Sequence, residues 1–137
     1  MPIFCEKHDT LVSVSSRSVI LFDAIVSIGC RAEEGFDSLI YRQLQSRVRD
    51  HLTGLLIHMQ TPDLEDIQAI TLLAAYSENV FVLIALAIRF AIQLGLPSAV
   101  DQLISKSRDR SGNVDSDERE LYRLARVWHG ICNLELL

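Results

Sequence analysis

Apolar residues recur at helical spacing along most of this chain, and nowhere do they alternate as a half-buried strand requires. After an irregular start, Ser18–Ala32 is the first predicted helix: Val19, Phe22, Ile25, Val26 and Gly29 share a face that Leu21 and Ile28 widen. Glu33-Glu34-Gly35 then stops it, with a glycine where a left-handed cap can sit. Ser38–Met59 is the clearest amphipathic stretch. Ile40, Leu44, Val48, Leu52, Leu55 and Met59 line one stripe, while Arg42, Gln43, Arg47, Arg49 and Asp50 take the other faces. Gly54 weakens that helix by about 1 kcal/mol relative to alanine, which points to a close helix crossing.

Thr61-Pro62-Asp63 punctuates the chain sharply. Thr61 suits an N-cap, Pro62 the first helical position, and Asp63, Glu65 and Asp66 the positive end of the macrodipole, so a helix is expected from here to about Ser77. Glu78-Asn79 supplies a turn, and Val80–Leu94 a helix that is apolar on nearly every face and therefore expected to be the most buried. Gly95 and Pro97 end it. Ser98–Lys106 offers a short helix with Val100, Leu103 and Ile104 facing inward. Ser105–Asp117 reads as a loop with too little apolar content to be held down. Asp115 with Glu118 resembles a capping box, opening a last helix to about Glu135 whose stripe is Leu121, Leu124, Ala125, Trp128, Ile131 and Cys132. The fold class is all-α: an irregular bundle of five or six helices.

Composition narrows the function more than the fold. The chain has 137 residues, ordinary for one domain, and 49% are hydrophobic, ample for a core. Its net charge of −5 disfavours phosphate backbones and anionic membrane surfaces alike. Val80–Leu96 is too short for a span and contains Arg89 and Gln93, so no membrane partner is expected. Cys5, Cys30 and Cys132 are odd in number and scattered, which fits reduced thiols in the nucleus or cytosol. The first ten residues carry charges where a secretory signal needs an apolar core.

Candidate chemistry is sparse. His51 and His58 are two helical turns apart, about 10 Å along an axis, too far to share a metal. No His-x-x-x-His or Cys-x-x-Cys pair occurs, so no metal or other cofactor is expected in this chain. Cys132 neighbours His129 on one helix but falls on the apolar stripe, as a structural thiol does. Paired acids at Glu33-Glu34 and Glu65-Asp66 are explained by helix ends, and no catalytic residues emerge. Two features stand out instead. Arg89 is the lone charge on the most apolar helix, and a buried guanidinium needs a fixed partner. Glu65 or Asp66 is the first candidate, since antiparallel packing brings the start of their helix towards Arg89; a backbone carbonyl or Tyr76 is the alternative. Arg126 and Trp128 lie together on the last helix, where the tryptophan is read as core.

These helices follow a familiar order. Glu65-Asp66-Ile67-Gln68-Ala69-Ile70-Thr71-Leu72-Leu73-Ala74-Ala75-Tyr76 resembles the helix of form E-x-x-Q-A-L-x-L-L-A-x-Y in the fungal-specific transcription factor domain, the middle homology region of zinc binuclear-cluster regulators. That family's next helix contains A-x-R-x-A-x-x-L-G-L, which is similar to Ala87-Ile88-Arg89-Phe90-Ala91-Ile92-Gln93-Leu94-Gly95-Leu96. Its later E-x-R-x-x-W-W segment resembles Glu120 through His129, with Arg126 and Trp128 retained and His129 in place of the second tryptophan. Pro2-Ile3-Phe4 and Leu21–Ala32 also resemble the start of this region.

The resemblance implies a regulatory role in the nucleus, exerted through other parts of the parent transcription factor, regulatory proteins or an effector. Zinc in that family sits in a separate six-cysteine module, which three scattered cysteines cannot build, so DNA contact is expected only through a domain outside this chain. The chain stops near where family members continue with further helices. A fragment of a larger helical domain, with possible self-association, is therefore expected. The alternative is a stand-alone helical adaptor for protein partners.

Overall fold

A computed structural model describes residues 3–58, 60–77, 80–108 and 116–135. Among them seven helices and no strand are found: α1 (Leu11–Arg17), α2 (Val19–Glu34), α3 (Leu39–Ile57), α4 (Leu64–Ala75), α5 (Val80–Gln93), α6 (Leu96–Arg108) and α7 (Ser116–Glu135). The expected all-α class holds, with one helix more than anticipated. The Glu78-Asn79 turn, the Asp115 cap, Met59 and Pro2 lie outside the described residues.

The additional helix is α1. Its sequence is serine-rich and buries only Val14, so no apolar period announces it. Thr10 caps it by accepting from the Ser13 amide at 3.3 Å, and Ser15 and Ser16 each turn their hydroxyls back onto carbonyls three residues earlier at 2.8 Å. Ser18 then serves two helices. Its amide donates to the Val14 carbonyl at 3.0 Å, closing α1, and its hydroxyl accepts from Leu21 N–H at 3.2 Å, opening α2.

Consecutive helices pair as hairpins, α2 with α3, α4 with α5, and α6 with α7, and α4 also touches α2 and α7. That makes α4 the hub. It gives Leu64, Ile67 and Ile70 to a core shared with Ala87, Ala91, Leu96, Val127 and Ile131. Its other side gives Ala69, Leu72 and Leu73 to a second core with Val14, Leu21, Ala24 and Val48. Phe4, Leu52 and Leu83 pack against both cores and join them.

Two expectations about this hairpin are corrected. Asp63, not Thr61, is the N-cap of α4: its carboxylate accepts from Asp66 N–H at 2.8 Å, and the Asp66 carboxylate accepts from Asp63 N–H at 2.9 Å. This reciprocal box satisfies two otherwise orphaned donors, which a threonine two residues earlier cannot match. Secondly, α4 rather than α5 is the most enclosed helix, with every residue from Asp66 to Ala74 buried. On α5 only Ile84, Ala87, Phe90 and Ala91 are buried, while Phe81, Val82 and Ile92 face out.

Smaller differences have equally local causes. Gly95, at φ +76°, turns the chain out of α5, and α6 starts at once at Leu96 with Pro97 in its first turn. Ser98, where this helix was expected to start, lies inside it and donates its hydroxyl to the Gly95 carbonyl at 2.7 Å. The stretch read as a loop from Ser105 is helical through Arg108 and again from Ser116; 109–115 lie outside the described residues. Close backbone approach occurs at Gly130 rather than Gly54. A Cβ at Gly54 would touch only a Gln60 side chain, whereas one at Gly130 would run into Ile3 Cγ2. On α7 Val127, Gly130 and Ile131 are buried, and Trp128 and Leu124 of the expected stripe are half-buried beside them.

Candidate functional site

Polar side chains converge where the N-terminal segment crosses the start of α4 and the middle of α7. Glu65, in the first turn of α4, lies 2.5 Å from the Arg123 guanidinium and 3.5 Å from Arg17 Nε. Arg17 also holds Asp9 at 2.7 Å, and the Asp9 side chain is only 1% exposed. Burial opposes the Asp9 charge, but the Cys5 amide, donating at 2.8 Å, and the Arg17 guanidinium outweigh it and hold the carboxyl below its ordinary range. The Nε atoms of Arg17 and Arg123 are buried without hydrogen bonds. Nearby, Gln68 Nε2 donates to the Ile3 carbonyl at 2.9 Å and Arg126 to the Phe4 carbonyl at 3.3 Å. Arg126 also hydrogen-bonds the Cys5 thiol, and with backbone hydrogen bonds at Lys7 and His8 it lowers the thiol's pKa. These contacts are those of a clamp: they fasten residues 3–9 across three helices.

The expected partnership of Arg89 with Glu65 or Asp66 is absent. Glu65 is committed to Arg17 and Arg123, and Asp66 to the capping box and to His51 Nε2 at 2.8 Å. Arg89 stands two residues from both Ala87 and Ala91, about 200° around the helix from these buried alanines, and so points outward. It is exposed and meets no acceptor among the described residues, Tyr76 included. Tyr76 instead ends α4, half exposed, with its carbonyl accepting from Arg31 at 2.5 Å. The six residues singled out from sequence thus fall into separate places. Glu65 and Arg126 fasten the N-terminal region, Asp66 caps α4 and meets His51, Trp128 packs against the core, and Arg89 and Tyr76 line different clefts.

Arg89 belongs to a groove of about 640 Å³ between the outer face of α5 and the C-terminal ends of α4 and α7. Phe81, Ala85, Ile88 and Ile92 form its long wall at spacings of four, three and four, a single helical stripe. Phe81 is 85% exposed and Ile92 52%. Ala74, Ala75 and Leu134 also line it, with Arg89 and Glu135 its only charged residues among those described. Sequence periodicity contained this stripe. The assumption that α5 was covered on all sides concealed it.

Among the described residues no three His, Cys, Asp or Glu side chains are placed to hold a metal ion, and no single helix is long and apolar enough to cross a membrane. No protein-family model, curated protein or solved structure matches this chain.

Proposed function

We propose that this chain is a regulatory module of a zinc-cluster type transcription factor, acting in the nucleus by docking an amphipathic acidic helix in the α5 groove. The observation that carries the reading is the apolar stripe of Phe81, Ala85, Ile88 and Ile92 with one unpaired guanidinium, Arg89, set in it. A helix that presents apolar residues at the same spacing and a carboxylate opposite Arg89 satisfies both features. Such a helix comes from another part of the parent regulator or from a regulatory protein, while zinc and DNA contact belong to a separate domain.

The resemblance in α4 and α5 supports the family part of the proposal. Of the shared positions, Ala69, Leu72, Leu73, Ala87, Ala91 and Leu96 are buried and fit a pattern of hairpin packing, while Tyr76 and Arg89 are exposed. The test is a reporter assay in which the chain is fused between a heterologous DNA-binding domain and an acidic activation segment. Insertion is expected to lower output, and Phe81→Asp or Arg89→Glu to restore it. Output that is indifferent to insertion overturns the regulatory role. A dimer in sedimentation that Phe81→Asp dissolves would show that a second copy occupies the groove instead.

A further inference from the structure

A second cleft, about 900 Å³, opens between the α2–α3 hairpin and the α4–α5 hairpin. Its lining differs in kind from the α5 groove. Val48, Leu52, Leu73 and Leu83 give it an apolar floor, and Phe36, Tyr41 and Tyr76 bring three aromatic rings to its walls. Phe36 and Tyr41 meet edge to face, with centroids 6.0 Å apart and planes at 85°. Arg31 lies across this aromatic wall, its guanidinium carbon 5.1 Å from the Phe36 centroid and 5.9 Å from that of Tyr76. One of its nitrogens donates to the Tyr76 carbonyl at 2.5 Å, which fixes the fork and leaves other donors free. Arg49 stands on the α3 wall, exposed and without a side-chain partner among the described residues.

No aspartate or glutamate among the described residues lines this cleft, although the chain as a whole carries −5. Two arginines without carboxylates are therefore concentrated where the rings are. Neither guanidinium is paired with an anion among the described residues, and Arg31 is held in place by stacking and a backbone acceptor, so little side-chain freedom remains to be lost on binding. The volume falls in the range of about 300–1,000 Å³ typical of small-molecule sites.

We infer that this cleft binds a small amphipathic organic anion: a planar aromatic body carrying one carboxylate or sulfonate. The body lies over the apolar floor against Phe36 and Tyr76, and the acid group meets Arg31 and Arg49. The site stands independently of the α5 groove and of the role proposed for it.

The test is titration of the isotope-labelled chain with 2-naphthoate, followed by NMR, beside its cationic counterpart 2-naphthylmethylammonium. Saturable shifts at Arg31, Phe36, Tyr41 and Tyr76 are expected for the anion, with the cation at least tenfold weaker. Arg49→Met should weaken 2-naphthoate about fivefold or more, and Arg49→Lys should retain most of the affinity. Arg31→Met should do likewise; Arg49, being exposed, gives the variant that keeps its fold. Phe81→Asp, in the other groove, should leave the titration unchanged. Equal binding of anion and cation, absence of saturation at millimolar ligand, or loss of binding on Phe81→Asp with Arg49→Met unaffected would each overturn the assignment.

Discussion

Glu65→Ala removes the carboxylate that ties α4 to both α1 and α7. The three side chains concerned are mostly enclosed: Glu65 is 14% exposed, Arg123 18% and Arg17 23%. Removing one partner of a buried pair costs about 3–5 kcal/mol, because the other charge is left without compensation. Here the loss is smaller. Arg17 retains Asp9 at 2.7 Å, whereas Arg123 keeps only Glu120, 3.8 Å away and itself 57% exposed. With residual exposure also screening the charges, about 2–3 kcal/mol is expected. For a chain of this size each kcal/mol shifts the melting temperature by roughly 3–4 °C, so Tm should fall by roughly 6–12 °C. Arg123→Met should cost a similar amount for the mirrored reason. The double variant should melt well above the sum of the two losses, since neither charge is then stranded. Thermal unfolding of the four proteins, followed by circular dichroism, measures this. A Glu65→Ala protein within 2 °C of the parent, or strict additivity, would refute the clamp.

Other expectations are narrower. Gly130→Ala gains about 1 kcal/mol of helix propensity but drives a methyl into Ile3 Cγ2, whose position the β-branch fixes; a net loss of about 1–2 kcal/mol and faster proteolysis within residues 3–9 should be seen. Arg89→Ala should change stability by no more than about 0.5 kcal/mol in urea unfolding, because the side chain is exposed and unpaired. The carboxyl of Asp9 is depressed, so its contribution is present above its unfolded value of about 3.9 and is lost as pH falls through the folded value. Asp9→Asn should therefore flatten the acid limb of a stability–pH profile. Asp23 has the opposite sign: burial raises its pKa more than Arg47 lowers it, so stability falls as pH rises through its folded value. Asp23→Asn should match or exceed the parent in stability at pH 7.

Helix positions were legible in this sequence because each has its own local cause. Gly35, at φ +81°, stops α2, Ser18 and Ser38, where α2 and α3 were expected to start, are their N-caps, and Gly95 turns the chain after α5. The N-cap of α4 was misplaced by two residues because Thr61-Pro62 and Asp63 are both good signals. Only the reply from the Asp66 carboxylate to the Asp63 amide decides between them. For residues 3–9 the sequence offered a family resemblance at Ile3-Phe4 and nothing of how the segment is anchored. Their anchoring depends on Gln68, Arg126, Arg17 and a cavity left by Gly130, groups 8 to 127 positions away, and no local pattern encodes such pairings.

Burial is where periodicity misleads, and α4 and α5 illustrate why. Hydropathy ranks α5 as the more buried, since its one charge is Arg89 and its remaining residues are almost all apolar. Yet α4, with Asp66, Gln68 and Thr71 in its turns, is the helix that is surrounded. Each of these side chains has at least one hydrogen-bond partner inside the fold, although Gln68 Oε1 is buried without one. Asp66 is held by the capping box and His51, Gln68 donates to Ile3, and the Thr71 hydroxyl donates to the Ile67 carbonyl at 2.7 Å. Arg89 has none among the described residues, and a guanidinium without a partner keeps to water. The cation therefore sits on the face of α5 turned to water, and the apolar residues beside it, Phe81, Ala85 and Ile92, are exposed with it. The exposed stripe is a consequence of where the chain leaves a charge unsatisfied, and a partner that supplies the missing carboxylate removes the reason for the stripe to stay wet.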